Sequence, residues 1–253
     1  MARIDLNCDM GESFGVYKLG CDEEAMPYVT SINVACGFHA SDPSNMLKTI
    51  RLAKKYGAAI GAHPSFPDLV GFGRRVMAAS PEEIKADVIY QVGALAGLCR
   101  AEGLKLQHVK AHGALYNLAG KDPKVATAIA EAILAVDPEL YMLCLANSAM
   151  VTAAKNVGVK YVEEAFADRA YTSQGALVPR KQEGAVIHDV NAVAERVLEI
   201  VANKSVTTIS GEILPLCPQT VCVHGDTPGA VTMIKTIRTK LEQRGVRLEA
   251  FGQ

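Results

Sequence analysis

Apolar and polar positions along the chain follow two rhythms. Short apolar runs at 4–8, 31–36, 58–61, 107–111, 141–145, 161–166 and 221–223 have the length and β-branched content of buried strands. Longer stretches with helical spacing lie between them, at 42–56, 81–102, 122–135, 147–157, 189–202 and 227–244. Several helix starts carry chemical signals. Ser80-Pro81-Glu82-Glu83 supplies a cap, a proline at the first helical position and early acids, and Asp42-Pro43 and Asp122-Pro123 repeat the device. Gly57, Gly103 and Gly158 end helices before the next strand. Strand–helix alternation of this kind implies a parallel sheet. Seven strands suit a shortened or distorted barrel, or an open doubly wound sheet.

Two segments break the rhythm. The 205–216 stretch, with β-branched runs around Ser210-Gly211, predicts a small hairpin insertion. Residues 169–186 read as a long loop over one face. With no internal repeat, low-complexity tract or linker, residues 1–253 read as one domain.

Composition narrows the function classes. Apolar residues make up 49% and charged residues 21%, which excludes a disordered chain. A net charge of −1 gives no electrostatic pull toward nucleic acid or an anionic membrane, so an anion must be bound by a local site. Aromatics are 6% and Trp is absent, which argues against stacking platforms. The seven cysteines show no C-x-x-C spacing and read as free, mostly packing thiols of a reducing cytoplasm; Cys36 lies closest to the strand ends. The N-terminal stretch lacks the apolar core of a signal peptide, and no run is long enough to span a membrane.

The polar residues collect where strands end. Strand 1 carries Asp5, Asn7 and Asp9 on one face and runs on to Glu12. The second, third and fourth strands run into His39, His63 and His112, with Lys110 two residues before His112 and pointing the same way. Strand 6 holds Glu164 and leads to Asp168 and Arg169; strand 7 leads to His224-Gly225-Asp226. One strand-end histidine is ordinarily a turn residue. Four at equivalent ends, each beside Gly or Pro or a short step from one, point to a shared ligand mouth, because βα folds bind at the carboxyl ends of their strands. An exposed edge strand could give the Asp5, Asn7, Asp9 pattern as well. His188, at a helix start, reads as a surface residue, and His108 as a satisfied interior one.

Standard loops are missing. Gly113 through Gly120-Lys121-Asp122 has the wrong spacing and an Asp where a phosphate loop needs Ser or Thr. There is no G-x-G-x-x-G after strand 1, no G-x-S-x-G elbow and no H-E-x-x-H. No Cys pair has the spacing of a structural zinc site.

Longer blocks carry a family resemblance. They are Asp5 to Gly15 (DLNCDMGESFG), Asn33 to Pro43, Gly61 to Asp68, Gly71-Phe72-Gly73-Arg74-Arg75, Val109 to Asn117, Glu164 to Arg169, Leu177 to Arg180 and Val223 to Asp226. Together, and in this order across essentially the whole chain, they resemble the LamB/YcsF family. The resemblance implies a distorted, seven-stranded β/α barrel of the kind found in polysaccharide deacetylases. It implies a 5-oxoprolinase reaction in which 5-oxo-L-proline, ATP and water give L-glutamate, ADP and phosphate. It also implies work in a complex with two further subunits, B and C.

In that chemistry Asp9 and Glu12 are candidate bases, and His39, His63, Lys110 and His112 complete the catalytic set. Asn7, Arg75, Glu164, Asp168, Arg169, Arg180 and His224 are candidates for binding substrate and phosphoryl anions. Two alternatives stay open. One is a stand-alone hydrolase whose divalent metal is held by Asp9 with His39 and His63 or His112. The other is a non-catalytic module that binds a small carboxylate.

Overall fold

The computed structural model describes residues 2–225 and 229–252. Asp226 and the expected helix start at 227 lie outside the described residues.

Seven parallel strands close into a barrel. They are β1 (Arg3–Met10), β2 (Ser31–Ala35), β3 (Ala59–His63), β4 (His108–Val109), β5 (Tyr141–Leu145), β6 (Lys160–Phe166) and β9 (Thr220–Val223). Each pairs with the next in that order, and β9 returns to β1. The short strands β7 (Ser205–Thr207) and β8 (Ile213–Pro215) form the antiparallel hairpin expected around Ser210-Gly211. A last short strand, β10 (Arg247–Leu248), pairs with the start of β1.

Closure removes the open-sheet alternative. It removes the edge-strand reading too, because β1 has neighbours on both sides. The barrel is narrow and its wall uneven: β4 keeps only two residues in the ladder. The chain beyond β4 still follows its neighbour, with Lys110 N–H donating to the Ala62 carbonyl at 2.9 Å and His112 N–H to the Pro64 carbonyl at 2.8 Å.

Helices α1 (Asp22–Ala25), α2 (Pro43–Tyr56), α3 (Pro81–Ala101), α4 (Gly113–Ala119), α5 (Pro123–Val136), α6 (Ala149–Val157), α7 (Val190–Asn203) and α8 (Ala230–Gln243) fill the connections. The predicted caps form. The Asp42 carboxylate accepts from the Ser44 and Asn45 amides, and Ser80 and Glu83 make a reciprocal capping box; such caps contribute about 1 kcal/mol each. Gly57 and Gly158 close α2 and α6 in the left-handed conformation. Among the described residues no helix is long and apolar enough to cross a membrane.

The two faces of β1 explain the site. Leu6, Cys8 and Met10 join the apolar core, whereas Asp5, Asn7 and Asp9 hydrogen-bond within a polar column. Asn7 Nδ2 donates to Glu164 Oε1 at 2.9 Å and to Thr220 Oγ1 at 2.7 Å. Asn33 Nδ2 donates to Asn7 Oδ1 and Asp9 Oδ1, both at 2.8 Å, and Asn33 Oδ1 lies 2.8 Å from His108 Nε2. A fully paired buried network of this kind fixes side-chain positions. Gly61 is required here, because a Cβ on it would run into the His108 ring.

Candidate active site

A pocket opens at the carboxyl ends of the barrel strands. Asp9, Glu12, His63, Lys110, His112, Arg169 and His224 from the strand ends line it, together with Arg180 of the 169–186 loop.

His39 stands one layer behind. Its ring stacks on His112 at 3.7 Å between centroids, and it is 1% exposed. Phe72 meets both rings edge-on. The loop that brings Phe72 there turns through left-handed Phe72 and Gly73; a Cβ on Gly73 would come within 2.8 Å of both His39 and His112. Asn7 and Glu164 lie beneath the pocket, in the polar column.

Lys110 is the hub. Its Nζ lies 2.9 Å from Glu164 Oε1, 3.2 Å from Asp9 Oδ1 and 2.9 Å from Cys222 Sγ, and 5.0 Å above the Phe166 ring. Burial works against the ammonium, but Asp9, then Cys222 and Glu164, outweigh it and hold Lys110 well above the usual lysine range. Burial likewise opposes ionisation of Asp9, and His63 and Lys110 overcome that, keeping the carboxyl well below its ordinary range. Tyr116 donates its hydroxyl to Glu164 Oε2 at 2.8 Å.

Cationic groups line the pocket as well: Arg74, Arg169 and Arg180, together with His224. Arg169 is fixed by donation to the Val178 carbonyl at 2.6 Å and to the Ala185 carbonyl at 3.4 Å; burial brings its guanidinium down to about 10. The expected 169–186 loop therefore has internal order, with bridges between Arg169 and Val186 and between Tyr171 and Leu177. His224 Nδ1 faces both oxygens of Asp168, at 2.9 and 3.0 Å. Burial raises the Asp168 carboxyl, His224 lowers it, and the net shift is downward.

The structure does not bring Arg75 into the pocket. Its guanidinium pairs with Asp68 and its side chain is 65% exposed, while the adjacent Arg74 faces the pocket. Sequence reasoning also passed over Asn33, Tyr116, Asn117 and Phe166. Asn117 and Tyr116 sit in the block that carries Lys110 and His112, and that proximity was the available signal. His188 is exposed and His108 is buried and bonded, as expected. Burial drives the Cys36 thiol up to about 12, so it offers no thiolate near pH 7.

Glu12, His39, His63 and His112 form one further grouping, their ligating atoms all within 4.8 Å of one another.

A closed seven-stranded parallel β/α barrel with an acid- and imidazole-rich mouth defines the class. The chain belongs to the LamB/YcsF family, whose pattern it matches over residues 4–253. It is 54% identical over 248 residues to the A subunit of 5-oxoprolinase from Clostridium beijerinckii, covering 98% of this chain and 97% of that protein. It is 51% identical over 250 residues to the corresponding 5-oxoprolinase polypeptide of Pyrococcus furiosus, covering 99% and 98%. Its structure is similar to that of the lactam utilization protein from Thermus thermophilus, with a TM-score of 0.94 and 46% identity over 98% of this chain and 100% of the other.

Proposed function

We propose that this chain is the lactam-opening subunit of an ATP-dependent 5-oxoprolinase. The observation that carries the reading is one pocket lined by two unlike sets of groups. Asp9, Glu12, His63 and His112 are proton acceptors, and Arg74, Arg169 and Arg180 are suited to binding anions. The names of the relatives supply the substrate class.

The lactam carbonyl of 5-oxoproline is a poor electrophile. Transfer of the γ-phosphoryl group of ATP to its oxygen, with loss of the ring N–H proton, gives an imidate phosphate and ADP. That species carries a phosphate and a carboxylate, and guanidinium groups bind both anions through paired hydrogen bonds. Water then adds to the ring carbon, giving its proton to Asp9 or Glu12. The C–N bond breaks as the ring nitrogen takes up protons, with His224, held by Asp168 and lining the pocket, as the donor. The product of that step is γ-glutamyl phosphate, and a second water releases phosphate and L-glutamate. Lys110 holds Asp9 ionised and in place.

The sequence has no phosphate-binding loop, and the relatives are named as one subunit of an enzyme; both support phosphoryl transfer being completed with partners B and C. The test is release of ADP and glutamate from 5-oxoproline and ATP, by this chain alone and with subunits B and C. Negligible turnover alone and clear turnover on assembly are expected. Strong ATP-dependent glutamate formation by the isolated chain would overturn the division of labour. Unchanged turnover by an assembled Asp9→Asn enzyme would overturn the site.

A further inference from the structure

Three imidazoles beside the pocket have their tautomers dictated by their neighbours. His63 Nδ1 lies 2.7 Å from the Lys110 carbonyl and His112 Nε2 lies 2.9 Å from the Phe72 carbonyl; a carbonyl only accepts, so both nitrogens carry hydrogen. The Ser65 hydroxyl donates to the Phe66 carbonyl at 2.8 Å, so it accepts from His39 Nδ1 at 2.9 Å. In neutral rings the remaining nitrogens, His39 Nε2, His63 Nε2 and His112 Nδ1, are therefore bare lone pairs.

These lone pairs converge on one another rather than on donors. His112 Nδ1 and His63 Nε2 are 3.0 Å apart, acceptor against acceptor. His39 Nε2 is buried without a hydrogen-bond partner and faces Glu12 Oε1 at 3.6 Å. Glu12 Oε1 also lies 3.9 Å from His112 Nδ1. Imidazole lone pairs brought together or left unpaired out of water are costly unless a cation lies among them.

We propose that Glu12, His39, His63 and His112 bind one first-row divalent transition-metal ion, with zinc as the representative occupant. Ligands at about 2.0–2.1 Å from a tetrahedral ion stand about 3.3 Å apart; the His63–His112 and His39–Glu12 pairs lie either side of that value at 3.0 and 3.6 Å, and the whole set lies within 4.8 Å. Three imidazoles favour a transition ion over magnesium or calcium, which take oxygen ligands. The carbonyl and hydroxyl acceptors behind the rings are the outer partners that metal-bound histidines ordinarily have. Asp9 sits outside the set, with Lys110 and Asn33 on Oδ1 and Oδ2 3.3 Å from His63 Nε2. The competing arrangement is a single proton shared by His63 and His112.

The experiment is metal binding by the full chain, read without turnover, so its outcome is separate from that of the lactam reading. The protein is stripped with chelator and titrated with cobalt(II) and zinc. One equivalent is expected to bind, with a visible d–d band for cobalt and displaced ¹⁵N signals from the three histidines with zinc. Glu12→Gln and His39→Gln should each weaken binding at least 100-fold. Ser65→Ala, which frees the His39 ring, should weaken it about 10–100-fold. Should either ligand variant fail to fold, the wild-type cobalt spectrum and ¹⁵N shifts decide. Uptake well below one equivalent, unshifted histidine signals, or folded variants that bind as the wild type does would overturn the site.

Discussion

Lys110 Nζ and Glu164 Oε1 stand 2.9 Å apart inside the barrel, and neither side chain is more than 2% exposed. The ion pair is asymmetric, because Lys110 also serves Asp9 while Glu164 has Asn7 and Tyr116. Replacing Lys110 by Met leaves two buried carboxylates without their cation, and breaking such a pair costs about 3–5 kcal/mol. Glu164→Gln leaves Lys110 its Asp9 partner and should cost clearly less. Urea unfolding of the two variants checks the order, and equal losses would refute it.

Two adjacent arginines should behave oppositely. Arg74 lines the pocket and Arg75 pairs with Asp68 at the surface. Arg74→Gln should raise KM for 5-oxoproline in the assembled enzyme by about 10-fold or more, the value of one charge-assisted contact. Arg75→Gln should leave both constants within a few-fold. Steady-state kinetics of the complex separates them.

A carboxyl far from the mouth controls part of the pH response. Burial drives Asp5 up to about 6 from 3.8, against hydrogen bonds from Thr220, Thr30 and Ser31. The folded state therefore holds this proton more tightly than the unfolded state. Its stabilising share is present below about pH 4, falls as pH rises to about 6 and is flat above, a change on the order of 3 kcal/mol. Asp5→Asn has no such slope. The stability difference between wild type and variant, measured by denaturant unfolding from pH 4 to 7, should move in favour of the variant as pH rises.

Glycine replacements should split by location. Gly61→Ala drives a Cβ into the His108 ring and should cost about 3 kcal/mol or more, the upper range for overpacking. Gly93→Ala, in the interior of α3 with open space around it, should stabilise by about 0.5–1 kcal/mol. Thermal unfolding of both tests the contrast.

What could be read in advance followed from local chemistry. The Asp-Pro and Ser-Pro helix starts, the apolar strand runs and the strand-end histidines each depend on a few neighbouring residues. Helix α4 escaped because it begins at Gly113 directly after His112, with no capping side chain, and runs only seven residues. Strand β10 escaped because Arg247 and Leu248 become a strand only through pairing with Arg3 and Ile4. The exchange of Arg75 for Arg74 had no local signal. Both residues offer the same group, and the left-handed turn at Phe72 and Gly73 decides which one faces inward. The tautomers of the three histidines were equally hidden, since Ser65, Phe72 and the Lys110 carbonyl become their partners only in the folded chain.

Strand β1 meets β10 at its start, β9 along its middle and β2 at its end. Two of those three neighbours are synthesised long after β1: Asp5 bonds to Thr220, 215 residues away, and Arg3 to Glu249, 246 residues away. Residues 30–33 reach the polar face of β1 early, but its remaining partners arrive only with β9 and β10. Contacts of such sequence separation slow folding, and the waiting strand is exposed to misassembly in the interval. Chains cut short before β9 should accumulate as aggregates rather than as partial barrels, so closure of the barrel is itself a check that synthesis has passed β9.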